Sequence, residues 1–147
     1  TKSLAVQSLK GKSPYVIWDG VFELFYSENR GAAFGMLQGK QTFFFVIALG
    51  VFGVILYAMA KLPASRRYIP FELCMTVVAA GAAGNLIDRV SQGYVVDFLY
   101  FKLIDFPIFN VADCYVTVAT GMLMFLFLYV YKDEEFDMLI PHKKEKI

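Results

Sequence analysis

Four aspartates and two asparagines share one stretch of this chain, between two long apolar runs. Residues 84–113 read GNLIDRVSQGYVVDFLYFKLIDFPIFNVAD, with acids at Asp88, Asp97, Asp105 and Asp113 and asparagines at Asn85 and Asn110. A carboxyl at the edge of an apolar phase loses hydration, so ionising it costs more and its pKa rises. Two such carboxyls held close cannot both ionise cheaply: one keeps a proton and the other accepts one. That pair can draw a proton from a water and hydrogen-bond the carbonyl under attack, and it requires no cofactor. Acids gathered in this way point to acid/base chemistry rather than to solubility.

Each of these residues also has a plainer role open to it. Asn110-Val111-Ala112-Asp113 has the spacing of a capping box at the start of the next apolar run. Asp88 and Arg89 can pair at a helix end, with Arg89 ordering the following loop or meeting a lipid phosphate. Asp105, before Pro107, reads as a solvated loop acid. Cys114 invites a thiol-protease reading, but the single histidine, His142, sits in a lysine-rich tail and is no candidate base. The acids lack the dense alternation of a cation-binding loop, so no metal is expected.

The 147 residues are 58% apolar and 17% aromatic, against about 45–50% apolar for a soluble domain. Mean hydropathy is +0.54. Both values indicate a single membrane-embedded domain. The net charge of +1 argues against a nucleic-acid surface. Cys74 and Cys114 form neither a CxxC pair nor a cluster with histidine, which excludes a zinc site or disulfide framework.

Three apolar runs must position the acids. Residues 41–60 carry no charge and are long enough, as a helix, to cross the hydrocarbon. Residues 69–87 form the second run, with Glu72 near its start, where an acid favours a helix N-terminus. The patch Ala79-Ala80-Gly81-Ala82-Ala83-Gly84 permits close helix packing. Asn85 and Asp88, three apart, share one side of that helix. Residues 114–131 form the third run. The loop 61–67 is basic, and Lys132 and the tail's basic end, His142-Lys143-Lys144-Glu145-Lys146, agree with it, which assigns both to the cytoplasm and makes 88–113 an extracytoplasmic catalytic loop. Residues 13–38 form an extracytoplasmic β element. Within it Tyr15–Trp18 and residues 21–26 are β-prone around an Asp19-Gly20 turn, which reads as a hairpin. Its Trp18 suits a membrane interface; the other reading is the core of a small soluble sheet. Residues 1–12 read as polar, with Lys2, Lys10 and Lys12. The expected fold is an all-α polytopic membrane bundle of three spans with a small extracytoplasmic β-hairpin or sheet.

Four blocks in this sequence carry a resemblance. Asn29-Arg30-Gly31-Ala32-Ala33-Phe34, Gly84-Asn85-Leu86-Ile87-Asp88-Arg89, Val95-Val96-Asp97-Phe98 and Phe109-Asn110-Val111-Ala112-Asp113 resemble, in order, the signature blocks of the bacterial lipoprotein signal peptidases, or signal peptidase II. The resemblance implies a four-helix aspartyl peptidase of the bacterial plasma membrane, with its active site at the extracytoplasmic face. It implies cleavage of diacylated prolipoproteins just before the lipid-modified cysteine, by a monomer in contact with membrane lipid. Asp97 and Asp113 match the family's catalytic pair. Asn29, Gly31, Asn85, Asp88, Arg89 and Asn110 match its supporting residues, and Lys2 resembles the lysine closing its first-helix motif. The chain starts at that motif's final Thr1-Lys2, so the family's first span is expected to precede it. Cys114 and Gly35 stand where serine is common in the family.

A different class, a small proton-coupled transporter or channel subunit, also places acids in membranes. Such a protein usually sets them near the midplane, whereas these spans are nearly clean and the acids gather at one face. A purely structural subunit has no use for a paired acid.

Overall fold

The computed structural model describes residues 1–31 and 41–139. The last part of the 13–38 β element, including Ala32 to Gly35, and the tail from residue 140 lie outside the described residues. Among those described, the order is α1 (Lys2–Leu9), β1 (Tyr15–Trp18), β2 (Phe22–Asn29), α2 (Gln41–Lys61), α3 (Ile69–Gln92), β3 (Val95–Phe101) and α4 (Val111–Phe125). Short 3-10 segments occupy Arg66–Tyr68, Lys102–Ile104 and Asp133–Leu139, and a π-helical turn at Leu126–Val130 extends α4. Among the described residues, three stretches are long and apolar enough to cross a membrane: Thr42–Lys61, Arg66–Gln92 and Val111–Val130. The result is the mostly helical membrane fold with a small sheet that the sequence implies.

Local chemistry sets the helix ends. After α2 the chain meets Pro63, which cannot continue a helix. α3 opens on Ile69 with Pro70 next, whose fixed φ suits the first turn, and carries Glu72 there as a partner for the helix dipole. It ends at Gly93, whose φ of 78° is open to glycine without strain. α4 opens on a true capping box: Asn110 Oδ1 accepts from the Ala112 and Asp113 amides, and Asp113 Oδ2 accepts from the Asn110 amide.

Two segments differ from their sequence reading. Residues 1–12, read only as polar, contain α1, which buries Ala5 and Leu9 one turn apart. The span expected as a loop at 88–113 is largely regular. α3 continues through Asp88 to Gln92, residues 95–101 form β3, and α4 takes in 111–113. β3 completes an antiparallel sheet in the order β1-β2-β3. Along β3 the side chains alternate between faces. Val96 and Phe98 pack on Ala5 and Leu9 of α1, each apolar side chain so buried being worth about 1.5–3 kcal/mol. Asp97 therefore points the other way. β1 is exposed at every residue, Trp18 included, so it is not the core of a sheet. A second buried cluster, Ile55, Ala58, Leu62, Tyr68, Met75, Tyr131 and Phe136, ties α2, α3 and the end of the α4 run together near the basic loop.

Candidate active site

Asp97 is 2% exposed and Asn110 is fully buried, and the two touch: Asn110 Nδ2 donates to Asp97 Oδ1 at 2.6 Å. The main chain makes this meeting possible. The amides of Phe98 and Leu99 donate to the Phe109 carbonyl, and the Phe109 amide returns a bond to Leu99, so Asn110 is delivered beside β3. Because Asn110 also caps α4, one side chain spans the two acids. Its Oδ1 holds the first turn of α4, its backbone N–H donates to Asp113, and its Nδ2 holds Asp97.

Asn29 serves Asp97 from the other strand. It pairs with Val95 in the β2–β3 register, which sets it diagonal to Asp97 on the same face. Its Nδ2 donates to Asp97 Oδ2 at 2.9 Å, while its Oδ1 accepts from the Gly31 amide, which fixes the orientation of the carboxamide. Asn85 serves Asp113, donating from Nδ2 to Oδ1 at 2.7 Å. Asn85 Oδ1 in turn accepts from Lys2 Nζ at 2.8 Å and from Asn110 Nδ2 at 3.2 Å. Lys2 Nζ also lies 2.8 Å from Asp88 Oδ2 and donates to the Gly84 carbonyl. Asp88 Oδ2 accepts from the Val96 amide, next to Asp97.

Burial pushes the Asp97 carboxyl up to about 6, with hydrogen bonds from Asn110 and Asn29 opposing it, the Asp113 charge adding to it and Lys2 reducing it.

Every site residue expected from the sequence falls in or beside this network. Asp88 pairs with Lys2 rather than with its neighbour Arg89, which corrects the reading of an Asp88–Arg89 ion pair. Arg89 instead donates to the Gly31 carbonyl at 3.1 Å and lies over the Phe44 ring. Among the described residues, Arg89 Nε is a buried side-chain nitrogen with no hydrogen-bond partner. Asp105 is exposed and accepts from the Tyr100 hydroxyl, in keeping with a loop acid. No three His, Cys, Asp or Glu side chains among the described residues converge as a metal site.

A groove of about 690 Å³ opens over the two acids. One wall is polar, with Glu28, Asn29, Arg30, Asn85 and Arg89; the other is apolar, with residues 106–109, Cys114 and Val118. Sequence reasoning missed the rim formed where Glu28 accepts from Lys10, Tyr26 and Arg30. It also missed the apolar wall. The one available signal was spacing, since Thr117 and Val118 lie one helical turn beyond Asp113 and Cys114.

The family model described as signal peptidase (SPase) II matches residues 1–129. The chain belongs to the signal peptidase II family. It is 46% identical over 130 residues to a lipoprotein signal peptidase of Caldanaerobacter subterraneus subsp. tengcongensis, covering 88% of this chain and 86% of that one. A lipoprotein signal peptidase of Enterococcus faecalis is 39% identical over 135 residues, covering 92% and 81%. Among solved structures, a bacterial membrane enzyme determined by the in meso method at 2.3 Å resolution superposes with a TM-score of 0.79 at 31% identity, covering 90% of this chain and 82% of that one. Membership in the signal peptidase II family makes this protein a membrane peptidase, and it leaves the transporter reading without support.

Proposed function

We propose that this protein is an aspartyl endopeptidase that removes signal peptides from diacylglyceryl-modified prolipoproteins, cutting before the lipidated cysteine. The observation that carries the aspartyl reading is Asn110, which holds Asp97 with its side chain and Asp113 with its backbone. Its similarity to lipoprotein signal peptidases carries the substrate class.

Asp97, pushed up to about 6, keeps the proton. Asp113 takes a proton from water as the water oxygen bonds to the scissile carbonyl carbon, and Asp97 gives its proton to the carbonyl oxygen. Asp113 then protonates the leaving amine, the C–N bond breaks, and Asp97 recovers its proton as the new carboxyl forms. Asn29, Asn85, Asn110 and Lys2 hold the pair, and Arg89 brings a guanidinium to the groove lining. The polar wall suits an extended peptide and the apolar wall suits the acyl chains. The basic loop at 61–67 supports a cytoplasmic location for that end, and so an extracytoplasmic location for the acids in the plasma membrane of a bacterium.

The test is gel-shift cleavage of a diacylated prolipoprotein in detergent. Asp97→Asn and Asp113→Asn should each lose at least about 100-fold in kcat while remaining folded. Near-parental cleavage by either folded variant removes the dyad assignment.

A further inference from the structure

The acids are held from α3 as well as from their own elements, and α3 and α4 approach each other closely at Gly81. Gly81 of α3 is buried against the first turn of α4. A Cβ placed on Gly81 would stand 2.6 Å from the Ala112 carbonyl oxygen, 2.8 Å from Val116 Cγ2 and 3.2 Å from Tyr115 Cβ. The first is a backbone atom of the capping turn that carries Asp113, and it cannot swing aside as a side-chain tip can. Gly84, one turn along, is different: a Cβ there meets only the Ala112 Cβ, at 3.5 Å, an ordinary contact. One turn beyond Gly81 on the same face, Asn85 reaches Asp113 Oδ1 at 2.7 Å.

We infer that Gly81 is a positioning residue for the peptidase reaction. Its missing side chain lets the α4 capping turn approach α3 closely enough for Asn85 to hold Asp113, and so sets the geometry between Asp113 and Asp97. The inference rests on the dyad reading above. A side chain at Gly81 must move the Ala112 backbone outward, and Asp113, the next residue, moves with it. Hydrogen bonds fail over a few tenths of an ångström beyond their limit, and displacement of a reacting group by about 1 Å can cost on the order of 100-fold in rate. Apart from Asp113, Cys114, Thr117 and Val118, the groove lining lies on elements other than α4, so KM should change little.

The experiment compares Gly81→Ala, Gly121→Ala and the double variant Gly81→Ala/Val116→Ala with the parent, reading kcat, KM and melting temperature in detergent, with Asp113→Asn alongside. Val116→Ala removes the overlap with Val116 Cγ2 and leaves those with the Ala112 oxygen and Tyr115 Cβ. Gly81→Ala should lose about 10- to 100-fold in kcat with KM nearly constant, and Gly121→Ala, where a Cβ meets nothing within 4 Å, should cleave within about 3-fold of the parent. The double variant should regain melting temperature without regaining kcat. This also decides the matter should Gly81→Ala fold poorly by itself. If the double variant recovers kcat together with stability, Gly81 serves packing alone and the inference falls. If Gly81→Ala cleaves normally while Asp113→Asn is inert, the inference falls and the dyad stands. If Asp113→Asn cleaves normally, the dyad reading itself fails and takes this inference with it.

Discussion

Asp97 sits between opposed effects, and their balance can be tested by removing one donor. Burial raises its pKa, while the Asn110 and Asn29 amides favour its charged form. In the proposed reaction the productive pair holds one proton, so in the free enzyme activity is lost as pH rises through the upper apparent pKa of the pair, near the value of about 6 for Asp97. Asn29→Ala deletes a donor to the carboxylate, which makes the charged form less favourable and the pKa higher. The alkaline limb of kcat/KM should therefore move to higher pH by up to about one unit, whatever happens to the maximal rate. A pH series of initial cleavage rates at low substrate measures this, and an unmoved or lowered limb contradicts the account of Asp97.

At the scale of elements, the start of α4 combines two duties that a single substitution can separate. Asn110 Oδ1 caps the helix and Asn110 Nδ2 holds Asp97. Serine is as good a cap as asparagine but has no second arm. Asn110→Ser should keep the melting temperature close to that of the parent and lose at least about 10-fold in kcat. Asn110→Ala should lose the rate and also about 1 kcal/mol of stability. Equal stability losses in the two variants would show that the cap is not what Asn110 supplies. This cap was legible in the sequence because it is local, spanning four residues with a fixed pattern. The three apolar spans were legible for the same reason, as was the Asp19-Gly20 turn, where Gly20 takes a φ of 68°. β3 was not. Its residues 95–101 are β-prone, but a strand exists only with a partner, and its partner β2 lies more than 60 residues earlier in the chain. α1 escaped because only Ala5 and Leu9 mark its inner face. The pairing of Lys2 with Asn85 and Asp88 is a contact over 80 residues that no periodicity announces.

Across the whole molecule, the chemistry and the main helical core lie at opposite ends of the bundle. The acids sit where α3, β3 and α4 meet the sheet, while the larger buried cluster gathers near the basic loop. There Arg67 binds Glu135 through two bonds of 3.1 Å and donates to the Val130 carbonyl, and the Tyr131 hydroxyl donates to the Arg67 carbonyl. The Tyr131 ring stacks on Tyr68 and meets Phe71 and Phe136 edge-on. Exposed ion pairs contribute little, so the weight of this end rests on Tyr131, which is 6% exposed. Removing a buried aromatic ring costs about 3–5 kcal/mol through lost contacts and the cavity left behind. Sites far apart with no shared partners act independently. Tyr131→Ala should therefore lower the melting temperature substantially yet leave kcat per folded molecule within about 2-fold of the parent. Thermal melts in detergent, with cleavage rates normalised to the folded fraction, measure both quantities. A large fall in normalised kcat would mean that the two ends are coupled, and that packing near the basic loop helps to hold the distance between Asp97 and Asp113.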